Sequence, residues 1–153
     1  MFRIQNENEL KNYFRSEEFS EVILGANIHF PLVVKDYLTW VEPSGCRTYL
    51  VFKDDSFKAP LGVVFRRDQS VGPSAPSMCE WCHSVRSGNE IGILTVRAHS
   101  QHRIGLSLCR DLSCADKIRS EPGVHDFPQL SSPQERLRRL VLKMADFSRR
   151  YLV

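Results

Sequence analysis

Cys79 and Cys82 are separated by two residues, and after 26 further residues Cys109 and Cys114 are separated by four. Two tight thiol pairs suit a tetrahedral zinc, because each pair is local in the chain and little entropy is lost in assembling four soft ligands. Four thiolates also close the shell, whereas a catalytic zinc keeps one position open for water. The expectation is therefore one structural Zn2+ held by Cys79, Cys82, Cys109 and Cys114, with no catalytic residue. Two other readings of the same letters stay open. CEWCH, residues 79–83, is a C-x-x-C-H haem-attachment string, and its cysteine pair also reads as a redox dithiol. Haem leaves Cys109 and Cys114 unexplained, and a thioredoxin-type pair follows a βαβ strand, not a Pro/Ser loop. Cys46 has no partner in the sequence and reads as a small buried hydrophobe.

The histidines add little. Zinc deaminases place H-x-E ahead of P-C-x-x-C, and no H-x-E precedes Cys79. A finger-type nuclease draws histidines from hairpin and helix. His99 and His102 fall in one turn, but the segment after it carries cysteine and no histidine, which leaves a metal-dependent hydrolase as a weak third reading. His29 and His125 stand alone.

The ligands must be positioned by regular elements. Ile91 to Arg97 and Ile104 to Cys109 read as strands joined by AHSQH, a hairpin. Leu112 to Arg119 reads as a short helix with Asp111 as N-cap. Cys114 then falls in its first turn, where the helix dipole stabilises thiolate charge by roughly 0.3–1 kcal/mol. Arg110, Lys117, His83 and Arg86 are candidates to offset the rest. The order of knuckle, hairpin and helix resembles a treble-clef finger.

Upstream, residues 6–18 read as a helix with Leu10, Tyr13 and Phe14 on one face, and residues 31–40 as a second, short helix carrying Trp40 into a core. Thr48 to Lys53 and Leu61 to Arg67 read as an antiparallel strand pair, followed by a loop over 69–77. Downstream, a loop with Pro122, Gly123 and Pro128 leads to a helix over 133–152 whose Leu137, Leu140, Val141, Met144 and Tyr151 share a face. Trp81 is expected to pack over the knuckle. Together these give an α+β fold: a small antiparallel sheet with flanking helices and a treble-clef zinc finger.

At 153 residues, with 42% hydrophobic and 25% charged residues, the chain reads as a single domain over residues 1–153, neither disordered nor collagen-like. Its opening, MFRIQNENEL, lacks the basic patch and apolar run of a secretory signal, so a soluble, cytoplasmic protein with no membrane partner and no small-molecule substrate is expected. The net charge of +3 hides an asymmetry. Residues 1–60 carry seven basic and nine acidic side chains, whereas residues 97–153 carry eleven and six. A basic C-terminal third suits an acidic partner, protein or nucleic acid.

Three blocks resemble one family. MCEWCHSVRSGNEIGILTVRA (78–98) running on to RIGLSLCRDLSCADKIR (103–119), DYLTWVEP (36–43) and the closing basic helix are similar to the C-terminal treble-clef domain of the elongation factor G-binding proteins, which include the FusB-type fusidic acid resistance proteins. The resemblance implies a cytoplasmic zinc protein that binds translation elongation factor G and acts on its release from the ribosome without catalysis. The surface expected to meet the partner is the hairpin near the metal, through Val85, Arg86, Arg97, His102 and Arg103. The alternative is that these residues bind ribosomal or other RNA through its phosphates.

Overall fold

The computed structural model describes residues 1–67, 76–120 and 132–153. Its centre is a five-stranded antiparallel sheet of β3 (Tyr37–Val41), β4 (Arg47–Phe52), β5 (Leu61–Arg67), β8 (Ile91–Arg97) and β9 (Arg103–Cys109), in that spatial order. Two small ribbons flank it, β1 (Phe2–Ile4) with β2 (Leu32–Val34), and β6 (Ser77–Met78) with β7 (Val85–Arg86). The expected pair over residues 48–67 and the hairpin over residues 91–109 are both present.

The runs TYLVF in β4 and GVVF in β5 are buried at every position, the mark of strands covered on both faces. Leu50, Phe52, Val63 and Phe65 enter one core, while Tyr49, Val51 and Val64 enter another. The first core lies under α2 (Cys114–Ser120) and α3 (Pro133–Tyr151), together with the first cysteine pair. The second is covered by α1 (Glu7–Asn12), a 3-10 turn at Ser16–Glu21 and the β1–β2 ribbon. There Trp40 stacks on Tyr49 with ring centroids 4.8 Å apart, and Phe14 meets both edge-on.

Four sequence expectations are corrected. The helix expected over 6–18 stops at Asn12. Asn6 caps it by accepting from the Glu9 amide, but the Tyr13 carbonyl accepts from the Gly62 amide at 2.8 Å, so the chain turns to lay Phe14 on β5. Residues 31–40 form no helix but the strands β2 and β3. Val33, Val34, Thr39 and Val41 favour the pleated state, and extension lets Tyr37 and Trp40 reach opposite faces of the sheet. Helix α2 begins at Cys114, not Leu112, because Leu112 adopts φ +56°; Asp111 instead accepts from the Ser113 amide. Cys46 is exposed, not buried, because it sits in the β3–β4 turn beside Gly45, whose φ is +78°.

Helix α3 follows expectation, with Ser132 as N-cap and Leu137, Leu140 and Met144 buried. Val141 and Tyr151 are only partly covered. The loop expected over 69–77 lies mostly outside the described residues, as do Pro122, Gly123, His125 and Pro128. Ser77 itself pairs in β6.

Candidate metal centre

The chain brings its four distant cysteines to one point from three pieces of structure. Between β6 and β7 a tight turn forms the knuckle, in which the Cys79 amide donates to the Ser84 carbonyl, the His83 amide to the Cys79 carbonyl, and the Cys82 amide to the Cys79 sulfur at 3.5 Å. His83 takes φ +63° to close this turn. Cys109 ends β9, and Cys114 opens α2.

The four sulfurs lie within 4.8 Å of one another, with Cys79 to Cys114 at 3.7 Å and Cys82 to Cys109 at 3.6 Å. A regular tetrahedron with sulfur about 2.3 Å from zinc has edges of about 3.8 Å. The separations therefore match a tetrathiolate site and are far too long for a disulfide. Three of the four residues are buried and Cys82 is partly so.

The protonation pattern points the same way. Four sulfurs this close cannot all ionise without a cation among them. Hydrogen bonding with Cys109 pulls Cys82 far below an ordinary thiol and Cys79 down to about 7. At Cys109 the hydrogen bond with Cys114 pulls downward, but those with Cys79 and Cys82 and burial outweigh it, leaving the pKa raised. Hydrogen bonding with Cys109 also raises Cys114. A divalent metal at the centre of the cluster removes the conflict, and the set of four soft donors suits zinc. The sequence-derived ligand set is thus brought together in full, and one structural zinc accounts for it.

Lys117 is one of the cations expected to offset the remaining charge, and it reaches the Cys109 sulfur at 3.2 Å. Burial disfavours its charge, but attraction to and hydrogen bonding with the Cys109 sulfur outweigh that and raise its pKa. Sequence reasoning missed a further set of groups around the metal. Lys143 of α3 donates to the Trp81 carbonyl at 2.9 Å and lies 3.1 Å from His83 Nε2, fixing the knuckle to the helix. Ser107 donates its hydroxyl to the Met78 carbonyl, and its amide donates to Glu80, which ties the knuckle to β9. Tyr37, Thr39 and Thr48 hold the segment between the last two ligands. The one visible signal for Tyr37 and Thr39 was the DYLTWVEP block, whose role the letters do not reveal. Trp81 packs edge-on against Phe65 and Phe147, in line with packing over the knuckle.

The expected partner residues fall in two groups on two separate ribbons, Arg97, His102 and Arg103 on the β8–β9 hairpin and Val85 and Arg86 on the β6–β7 pair. Arg97 and Arg103 face each other across β8 and β9, close to Arg66 and Thr95, while exposed His102 sits in the adjoining turn with His99. Val85 and Arg86 lie at the opposite end on β7, where exposed Met78 pairs with Val85. Exposed Ile93, opposite Ser107, stands between the groups. Part of the C-terminal basic excess is engaged inside the domain: Arg149 pairs with Asp54 and Asp146, Arg139 with Glu135, and Arg119 with Asp36. No helix among the described residues is long and apolar enough to cross a membrane.

Residues 10–151 match the family described as FBP C-terminal treble-clef zinc-finger. Among solved structures, that of the fusidic acid resistance protein FusC shares the fold with a TM-score of 0.50 and 18% identity, over 74% of this chain and 52% of that one. The chain thus spans about half the length of that neighbour. No curated protein matches the sequence.

Proposed function

The chain belongs to the FBP C-terminal treble-clef zinc-finger family, and from that membership we infer that it is a non-enzymatic binding module whose partner is translation elongation factor G and which modulates the release of that factor from the ribosome. The observation that carries the reading is the outer face of the β8–β9 hairpin. It presents Arg97 and Arg103 as a cross-strand pair beside exposed Ile93, with Met78 and Val85 on the neighbouring ribbon. Apolar side chains with an arginine pair at one end of the same hairpin fit an acidic protein surface, and such charge raises the rate of encounter. The hairpin is braced by the zinc-bearing knuckle through Ser107, so its side chains lose little freedom on binding. Support for a non-enzymatic role comes from the closed thiolate shell, which leaves no coordination position for a reacting water. A fold neighbour named for fusidic acid resistance fits the same reading.

Capture of partners from a lysate by the zinc-loaded chain, with and without nuclease, tests this. Elongation factor G retained after nuclease treatment supports the reading, whereas recovery of RNA alone replaces it with direct RNA binding through the same arginines. Replacing Arg97 and Arg103 together by glutamine should lower the retained elongation factor G while leaving one zinc per chain.

A further inference from the structure

Between the third and fourth zinc ligands the backbone has little regular structure of its own. Leu112 takes φ +56°, a region disfavoured for a residue with a Cβ. The segment is held from outside. Three successive carbonyls, those of Arg110, Asp111 and Leu112, each accept a hydrogen bond from a hydroxyl on the neighbouring strands: Thr48 at 2.6 Å, Thr39 at 2.9 Å and Tyr37 at 2.7 Å. The Tyr37 hydroxyl also accepts from the Ala115 amide at 2.9 Å. One phenol oxygen therefore bridges the residues on either side of the turn that delivers Cys114, without touching a ligand sulfur.

We propose that this row of hydroxyls, led by Tyr37, is a positioning device that holds the Cys109–Cys114 segment in its ligating conformation and so sets how long zinc stays bound. The proposal rests on the four-cysteine zinc site and is independent of the partner. It gives a physical role to the DYLTWVEP block, which lies more than 60 residues away from these ligands in sequence. Without Tyr37, the Leu112 carbonyl and the Ala115 amide lose their partner together, and Cys114 can leave the metal more often. Hydrogen bonds outside the ligand set are generally worth 10–100-fold in metal affinity.

The test uses the zinc-loaded full chain and a chromogenic chelator that reports release. Tyr37→Phe should release zinc about 10–100-fold faster. The matched control is Tyr49→Phe, because Tyr49 also donates to one carbonyl, of Glu21, and accepts from one amide, of Ile23, in the core on the other side of the sheet. Tyr49→Phe should lower overall stability yet leave the release rate within twofold of the parent chain. A second readout is hydrogen exchange of the Ala115 amide with zinc still bound, which should rise in Tyr37→Phe and not in Tyr49→Phe. Should Tyr37→Phe fail to fold, Thr48→Val and Thr39→Val carry the test, each expected to speed release several-fold. Release unchanged in these variants, or accelerated equally by Tyr37→Phe and Tyr49→Phe, overturns the proposal.

Discussion

Both faces of the central sheet carry an apolar core, but among the described residues only one of them adds a metal site. Over one face, Phe14, Trp40 and Tyr49 interlock under α1 and the β1–β2 ribbon, with no metal site among the described residues of that layer. Over the other, the 79–90 stretch, whose only large apolar side chains are Trp81 and Val85, cannot bury enough apolar surface to order itself. Its anchors are Trp81 and the thiols Cys79 and Cys82. Aromatic rings bury about 150–250 Å² each, so three of them stabilise a short segment by packing alone. Where the chain offers small polar residues, cross-linking through a metal substitutes for that missing area.

Removing the metal should break this comparison most completely. Cys114→Ser, or chelation of the parent chain, should unfold residues 79–119, since apparent zinc-binding energies of about 10–16 kcal/mol in small fingers are also folding energies. Hydrogen exchange read residue by residue checks it: amides of β8, β9 and α2 should lose protection while those of α1 and β4 lose much less. A zinc-free Cys114→Ser chain with full protection throughout would show that apolar packing alone holds both layers.

The complementary lesion is Trp40→Ala. Its indole stacks on Tyr49 and donates to the Ile23 carbonyl at 2.9 Å. Truncating such a ring costs about 3–5 kcal/mol, yet zinc content should remain one per chain, measured by elemental analysis alongside a denaturant curve. Zinc loss in parallel with stability would mean that the two layers are not separable.

What could be read from the letters follows the same division. Spacing exposed the zinc ligands because metal coordination uses few residue types at short separations, as Cys79-x2-Cys82 and Cys109-x4-Cys114 illustrate. The β4–β5 and β8–β9 pairings and α3 were legible too, through β-branched runs bounded by turns and through a helical period. The layer without metal was read less well. Residues 31–41 carry Tyr, Leu and Trp at spacings that suit a helix, and the competing signals for a strand are the β-branched residues and the contacts of Tyr37 and Trp40 with opposite cores. Tyr37 was invisible as a support for the metal because its partners are the backbone of residues 112 and 115, and backbone leaves no trace in the choice of letters.

A smaller effect probes the packing within the layer without metal. A Cβ added at Gly62 would lie 2.6 Å from Cγ of Phe14, inside contact distance of a ring that is itself buried. Gly62→Ala should therefore cost about 1–3 kcal/mol by overpacking, again with zinc retained. Combined with Phe14→Leu, which leaves room for the new methyl, the penalty of Gly62→Ala should shrink, and a double-mutant cycle reads that coupling directly.

The smallest predicted change in stability falls on the hairpin, whose outer surface belongs to neither core. Arg97 and Arg103 stand directly opposite each other on β8 and β9. Like charges so placed repel, and Glu18 and Glu21 nearby already pair with Arg15 and Arg66, so losing one of the two should not weaken the fold. Glutamine at position 103 removes the repulsion without adding a carboxylate next to Glu18 and Glu21, which line the same cleft. Arg103→Gln should thus leave stability unchanged or raise it by about 0.2–0.5 kcal/mol. The same substitution should slow association with an acidic partner and flatten its dependence on salt, because the charge it removes acts at long range. Opposite signs for stability and association mark a residue kept for recognition. A fall in stability with association unchanged would make Arg103 part of the scaffold, and would move the search for the binding surface toward Met78, Val85 and Ile93.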